Sequence, residues 1–227
     1  MNRSVFVVIP AFNEREVILS TLQALTGTPY NVVVVDDGSS DGTGALISDL
    51  PVHLLRHAIN LGQGAALQTG MKFALQKGAE IIVQFDADGQ HRIEDLETLI
   101  EPLLQGEADV VLGSRFLRDP DRLAVPPLRR VVLRTAVLVN RLMTGIWLTD
   151  AHNGLRALTA EAAKKIHLRE NGFAHASEIL NEVSRERLRY VERPTSIRYT
   201  DYSQAKGQSM WNGVNIVVDL FLKGIFK

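Results

Sequence analysis

The sequence predicts an α/β fold, a doubly wound and mostly parallel sheet with helices on both faces. Short runs of Val and Ile without polar alternation suit strands covered on both sides, as in parallel sheets. Segments with apolar residues at helical spacing lie between those runs, and strand alternating with helix builds such a sheet. Polar clusters, the middle two mostly acidic, follow the runs, and open α/β sheets bind ligands at the carboxyl ends of their strands.

The first strand is Val5 to Ile9 (VFVVI), and the first helix is Glu14 to Leu25, with Val17, Leu19, Leu22 and Leu25 near helical spacing. Asn31 to Val35 (NVVVV) is the second strand; a short helix through Ala45, Leu46 and Ile47 follows, with Ser40 or Asp41 as its expected cap. Val52 to Arg56 is a weaker strand. The next helix carries Leu67, Met71, Phe73 and Leu75. Its opening NLGQG lacks the spacing of a dinucleotide-binding loop and reads equally as a tight turn with close packing. Glu80 to Phe85 (EIIVQF) and Asp109 to Ser114 are strands flanking a helix with Leu96, Leu99, Ile100 and Leu103. RDPDRLAVPP, Arg118 to Pro127, reads as a loop that ends the first half.

The 227 residues suffice for one large domain with a real core. With 25 basic and 26 acidic residues the chain has no nucleic-acid signature. It has no Cys, so disulfides and thiolate chemistry are excluded. No run reaches the roughly 18 apolar residues of a membrane span, and the first residues are too short for a signal peptide. A soluble, cytoplasmic, single-domain protein is expected.

The polar clusters at the strand ends are PAFNE, DDGSSDGT, FDADGQH and GSRF. Asp86 and Asp88 stand two apart after a strand, so their side chains share a side and repel unless a cation or a proton lies between them. A hard divalent ion such as Mg²⁺ takes one or two carboxylates plus substrate phosphates, and Asp-x-Asp suits that use. The alternative is a solvated turn whose Asp residues cap the helix near Ile93.

Six segments, VVIPAFNE, VVVVDDGSSDGT, NLGQGAALQTGM, FDADGQH, GSRF and DAHNGLRAL, occur in an order that resembles family 2 glycosyltransferases of the GT-A fold. The chain is most similar to the polyprenyl-phosphate branch that includes dolichyl-phosphate mannose synthase. The resemblance implies one GT-A domain over 1–227. Residues 1–117 would be its nucleotide-sugar half, 118–208 its acceptor half and 209–227 a C-terminal amphipathic helix. It implies that Pro10, Phe12 and Glu14 line the nucleotide base, that Asp37 accepts from a ring N–H, and that Asp86 sits near the ribose or the metal. Asp88 would be the main ligand of Mg²⁺ or Mn²⁺, with Gln90 close by. The tail departs from the family: RYTDYSQAKGQSM keeps Gly207-Gln208-Ser209 but has Met210 where the family often has Lys, leaving Arg198 and Lys206 as the nearest cations.

The implied reaction is a single inverting displacement from a nucleotide-diphosphate sugar. A hydroxyl acceptor needs a base, and Asp150, His175 and Glu178 are the candidates. His175 and Glu178 are three apart on an expected helix, on one face, where a surface hydrogen bond is the alternative reading. A polyprenyl phosphate needs no base, because its second pKa of about 6 leaves it anionic. It calls for cations instead, here Arg115, Arg130, Arg134 and Arg156, with Arg198 and Lys206 in the tail. His152 is a lesser metal or phosphate candidate.

Between Leu128 and Met143 a helical wheel places Arg130, Arg134 and Arg141 on one stripe, opposite Leu128, Val131, Val132, Val139 and Leu142. That suits either a membrane surface or an ordinary packed helix. The segment SMWNGVNIVVDLFLKGIFK is more apolar than a free terminal helix and should lie on a bilayer, on a membrane partner or in a dimer. The expected function is therefore metal-dependent transfer of a sugar to a polyprenyl phosphate at the cytoplasmic membrane face. The runner-up acceptor is a hydroxyl of a polysaccharide or lipid-linked glycan. Two other classes, a haloacid-dehalogenase-type phosphatase and a non-catalytic nucleotide-sugar-binding subunit of a membrane complex, are less consistent with the motifs.

Overall fold

The computed structural model describes residues 3–125, 127–151, 153–172 and 174–198. His152, Lys206 and the amphipathic segment over 209–227 lie outside the described residues. In chain order the elements are β1 (Val5–Ala11), α1 (Ile18–Leu25), β2 (Asn31–Asp36), α2 (Thr43–Leu46), β3 (His53–Arg56), α3 (Gln63–Gln76) and β4 (Ile81–Gln84). They continue with α4 (Glu94–Leu104), β5 (Val110–Ser114), α5 (Asp119–Ala124), α6 (Pro127–Thr144), β6 (Arg156–Thr159), α7 (Ala160–Lys165), α8 (His175–Arg185) and β7 (Tyr190–Pro194).

The described strands form one sheet in the order β3-β2-β1-β4-β6-β5-β7. All neighbours run parallel except β6, which is antiparallel to both β4 and β5. The chain winds outward from β1 through β2 to β3 and then restarts on the other side of β1 with β4. The carboxyl ends of β1 and β4 therefore flank a topological switch point, where open α/β sheets place their ligands.

The unbroken apolar runs are explained by two cores. On one face Phe6, Val8, Ile82 and Leu112 pack against Leu67 and Met71 of α3 and Ile179 and Val183 of α8. On the other, Val7, Ile9, Ile81 and Val83 pack against Ile18 and Leu22 of α1 and Leu96, Leu99 and Leu103 of α4. Alternate residues of one strand thus enter opposite cores. Gly70 brings α3 down onto β1, where a Cβ would collide with the Val8 side chain.

The loop expected over 118–127 contains the six-residue helix α5. The helix expected from Glu14 begins only at Ile18, because Glu14 to Val17 form a turn closed by the Val17 N–H on the Glu14 carbonyl. Strands β6 and β7 are too short and too charged to stand out as apolar runs; β7, YVERP, is an edge strand half-buried throughout. Of the cations on the wheel of α6, Arg134 and Arg141 are exposed, but Arg130 is half-buried and its Nη2 donates to the Val125 carbonyl. The helix packs inward through Leu133, Ala136 and Asn140, while Val131 and Leu142, expected opposite the arginines, share their solvent side.

Candidate active site

Three strand ends and two helix starts meet above the switch point. After β1, Asn13 takes a left-handed φ of 54° and its Oδ1 accepts the Ser40 N–H. The Asn13 and Glu14 N–H groups donate to Ser39 Oγ and Thr43 Oγ1. PAFNE is thereby joined to DDGSSDGT, with Pro10 buried and Phe12 exposed above it. The cap of α2, expected at Ser40 or Asp41, is Gly42, with no side-chain cap; Asp41 Oδ1 instead accepts the Thr43 N–H from one residue before it.

Both acids at the tip of β2 are buried and engaged. Asp36 accepts from the Ser39 N–H and pairs with Arg56 at 3.2 Å. Asp37 accepts the Leu61 N–H on Oδ1 and the Gly62 N–H on Oδ2, at 2.9 and 2.7 Å. His57 bridges Asp37 Oδ1 at 2.7 Å to Thr69 Oγ1 on α3 at 3.0 Å. Asp37 therefore holds the NLGQG turn in place. Gly62 (φ +100°) and Gly64 let that turn lie against the carbonyls of Asn171 and Glu170, where any Cβ would clash.

At the end of β4, Asp86 Oδ1 accepts from Gln63 Nε2 at 3.0 Å, and its Oδ2 lies 2.9 Å from His91 Nε2. Gly154 lets the chain pass close to the same carboxylate, which a Cβ there would strike. The Asp86 side chain keeps 28 % of its surface exposed, so it remains reachable. Burial disfavours its charge, but the His91 hydrogen bond and the neighbouring His91, His175 and Arg156 outweigh that and hold its pKa low. Asp88 goes the other way: burial, then the Asp86 charge, push its pKa up to about 6. Asp88 does not cap α4, whose start has no side-chain cap; its Oδ1 accepts the Gln90 N–H. Among the described residues no group of three or more His, Asp or Glu could enclose a metal. Asp86, Asp88 and Gln90 could hold one only with ligands from water or substrate, and the excess negative charge recorded at Asp88 is what such a cation would relieve.

Arg115 and Asp150, expected separately as a phosphate cation and a base, are bound to each other. The guanidinium grips both carboxylate oxygens at 2.6 and 2.7 Å in a buried bidentate pair. Glu178 on α8 accepts the backbone N–H groups of Arg169 and Glu170, and His175 Nδ1 lies 2.8 Å from the Gly172 carbonyl. No bond joins Glu178 to His175; each holds the 168–172 loop instead. Arg156, on β6, is buried beside Asp86 and Asp150, and desolvation lowers its pKa to about 10. Arg198 is exposed, and its N–H donates to the Gln90 carbonyl. Ile197 forms a bridge with His91, so the segment after β7 straps the DADGQH loop.

Gln63, His57, His91 and Gly154 were not singled out by sequence reasoning. His91 and Gln63 lie inside quoted motifs, so the signal was present, but only the fold shows both converging on Asp86.

The chain matches the model of glycosyl transferase family 2 over residues 6–167. It is 38% identical to an uncharacterised protein of Methanocaldococcus jannaschii, over 98% of this chain and 93% of that one. It is 31% identical to the UDP-N-acetylglucosamine–dolichyl-phosphate N-acetylglucosaminyltransferase of Methanococcus voltae, over 97% and 96% of the two chains. With the polyprenol monophosphomannose synthase of Mycolicibacterium smegmatis it shares 32% identity, over 95% and 83%. Among solved structures, glucosyl-3-phosphoglycerate synthase of Mycobacterium tuberculosis superposes with a TM-score of 0.72 at 19% identity, over 97% of this chain and 78% of that one. A further structure of that enzyme, TM-score 0.69 at 19% identity over 98% of this chain and 78% of that one, is in complex with Mn²⁺, UDP and phosphoglyceric acid. The family match and the relatives also set aside the phosphatase and non-catalytic readings: the chain belongs to glycosyl transferase family 2 and is a glycosyltransferase.

Proposed function

We propose that the enzyme transfers a sugar from a nucleotide diphosphate to a polyprenyl phosphate by a single inverting displacement. The observation that carries this is the state of the three candidate bases. Asp150 is occupied on both oxygens by Arg115, and Glu178 accepts two backbone N–H groups. Burial, then Arg156, push the His175 imidazole down to about 4, too weak a base for work near neutral pH. Among the described residues these groups serve structure, which favours a nucleophile that arrives already ionised. A phosphate monoester does so. Two relatives named for polyprenyl or dolichyl phosphate support the same acceptor class.

In this reading a phosphate oxygen attacks the anomeric carbon, the bond to the nucleotide diphosphate breaks, and no proton need move. Pro10, Phe12 and Glu14 border the base, and Asp37 has lone-pair capacity left for a ring N–H beyond its three contacts. Asp86, Asp88 and Gln90 would hold Mg²⁺ or Mn²⁺, which supplies charge to the leaving diphosphate. Of the cations expected at phosphate, Arg115 is held by Asp150, so Arg130, Arg134, Arg156 and Arg198, with Lys206 beyond the described residues, are assigned to it. Among the described residues no helix is long and apolar enough to cross a membrane. The outer face of α6 exposes Val131, Leu138 and Leu142 with Arg134 and Arg141, and Arg141 stacks on the exposed Trp147 at 3.1 Å. Cations beside apolar and indole groups suit peripheral contact with an anionic membrane.

The test is incubation with Mg²⁺ or Mn²⁺, polyprenyl phosphate and radiolabelled nucleotide sugars. Label in the organic phase is expected. Release of nucleoside diphosphate with label only in a hydroxyl acceptor would overturn the reading in favour of a glycan acceptor.

A further inference from the structure

Asp86 stands on a loop, yet its carboxylate is clamped from two sides. Gln63 at the start of α3 donates to Oδ1 at 3.0 Å, and His91 Nε2 lies 2.9 Å from Oδ2. A carboxylate only accepts, so the proton of the second contact is on His91 Nε2. Each oxygen keeps a lone pair, and 28 % of the side chain stays exposed. Asp88, two residues on, accepts a backbone N–H from Gln90.

His91 is itself held still. Its ring is buried, edge-on to the Phe85 ring at 5.4 Å. Its backbone bridges Ile197, and the Gln90 carbonyl beside it accepts the Arg198 N–H. That strap is fixed in turn to α4 and α5, where Asp95 accepts the Ser196 N–H at 2.8 Å and Asp121 accepts the Ser196 hydroxyl at 2.7 Å. On the other side of the loop, Thr21 Oγ1 of α1 donates to the Ala87 carbonyl at 2.9 Å. The arrangement has a cost: His91 Nδ1 is buried with no hydrogen-bond partner among the described residues. A phenyl ring would fill the same space without that orphan, so packing alone does not call for an imidazole. What the imidazole adds is the N–H on Asp86. Carboxylates that ligate metals are held by such outer hydrogen bonds, and a site keeps its geometry only when they lock its rotamers. We propose that His91 is a positioning residue, which fixes the Asp86 carboxylate so that its remaining lone pairs are set for a divalent cation before the donor arrives. This rests on Asp86 and Asp88 holding Mg²⁺ or Mn²⁺, and it is independent of the acceptor.

Titration of Mn²⁺ into the protein with saturating UDP or GDP, followed by the paramagnetic resonance of the free ion, tests this without turnover. His91→Phe keeps the ring and removes the donor, and is expected to weaken Mn²⁺ binding by about tenfold or more. His91→Gln, whose amide returns an N–H near the place of Nε2, should recover most of that loss. Full Mn²⁺ affinity in His91→Phe, a loss that His91→Gln does not mend, or an equal loss of nucleotide binding measured without metal would make His91 merely structural and overturn the proposal. If the wild type binds no Mn²⁺ with either nucleotide, the metal reading itself fails and the proposal falls with it. Should His91→Phe not fold, proton and nitrogen NMR of the wild type decides. The His91 Nε2–H resonance should shift when Mg²⁺ joins the nucleotide complex, whereas an unmoved resonance, or a ring with no proton on Nε2, overturns the proposal.

Discussion

At the residue scale, Asp88 carries a charge that the metal-free fold resists. Its pKa is raised to about 6, so at neutral pH its ionisation works against folding. An acid with a raised folded pKa loses stability as pH climbs from its unfolded value, near 4, to the folded one, and the deficit is full above that. Asp88→Asn should therefore stabilise the metal-free protein by about 1–3 kcal/mol at pH 7 and show no gain below pH 4. Thermal melts across that range check this, and a destabilised variant would contradict it. The same variant should lose sugar transfer, the trade between stability and activity expected where like charges are gathered for function. Asp150 is the opposite case, a charge satisfied within the fold by Arg115. Removing one partner strands a buried ion, so Asp150→Ala should cost about 3–5 kcal/mol in chemical denaturation. Asp150→Leu combined with Arg115→Met should recover most of that.

At the scale of elements, helix α6 presents a buried face and an exposed face that is partly apolar and partly basic. Leu133, Ala136 and Asn140 are buried, while Leu138 (54 % exposed) and Leu142 (79 %) face solvent among Arg134 and Arg141. A helical wheel distinguishes apolar from charged positions but not which arc the neighbours cover; the packing of α6 on α8 settles that here. Leu138→Glu with Leu142→Glu should leave stability within about 0.5 kcal/mol, because both sites are exposed. The pair should abolish co-sedimentation with anionic liposomes at low salt, where wild type is expected to pellet. Retained binding would place membrane contact elsewhere. The 168–172 loop is the second instructive element. Glu178 ties it down, the Asn171 carbonyl accepts the Gly64 N–H, and Gln68 Oε1 accepts the Leu168 N–H. The 168–172 loop is thus docked directly on the turn that Asp37 holds.

At the scale of the whole molecule, the arrangement predicts a pH profile. With polyprenyl phosphate as acceptor, the rising limb of kcat/KM should follow the second ionisation of the phosphate, near pH 6, with no further enzyme base near 7. A second rising ionisation near 7 that vanishes in Glu178→Gln would restore a base. The sequence by itself determined the layers of this fold and the chemistry at its edge. Val and Ile runs, helical spacing and acid-tipped strand ends are local patterns, and local patterns survive without knowledge of the partner. They located β1 to β5, the long helices, and the loops bearing Asp37, Asp86, Asp88 and Arg115. Only the tertiary structure decided how those loops divide their work. The reversed strand β6 is four residues long and begins with an arginine, so it has no periodicity to read, yet it sets Arg156 against Gln84 and beneath Asp86. The Arg115–Asp150 clasp, the Gln63 and His91 bonds to Asp86 and the strap over Gln90 join residues from separate motifs. A carboxylate is a base, a metal ligand or a brace according to what stands within about 3 Å of it, and that distance is a property of the fold rather than of the residue.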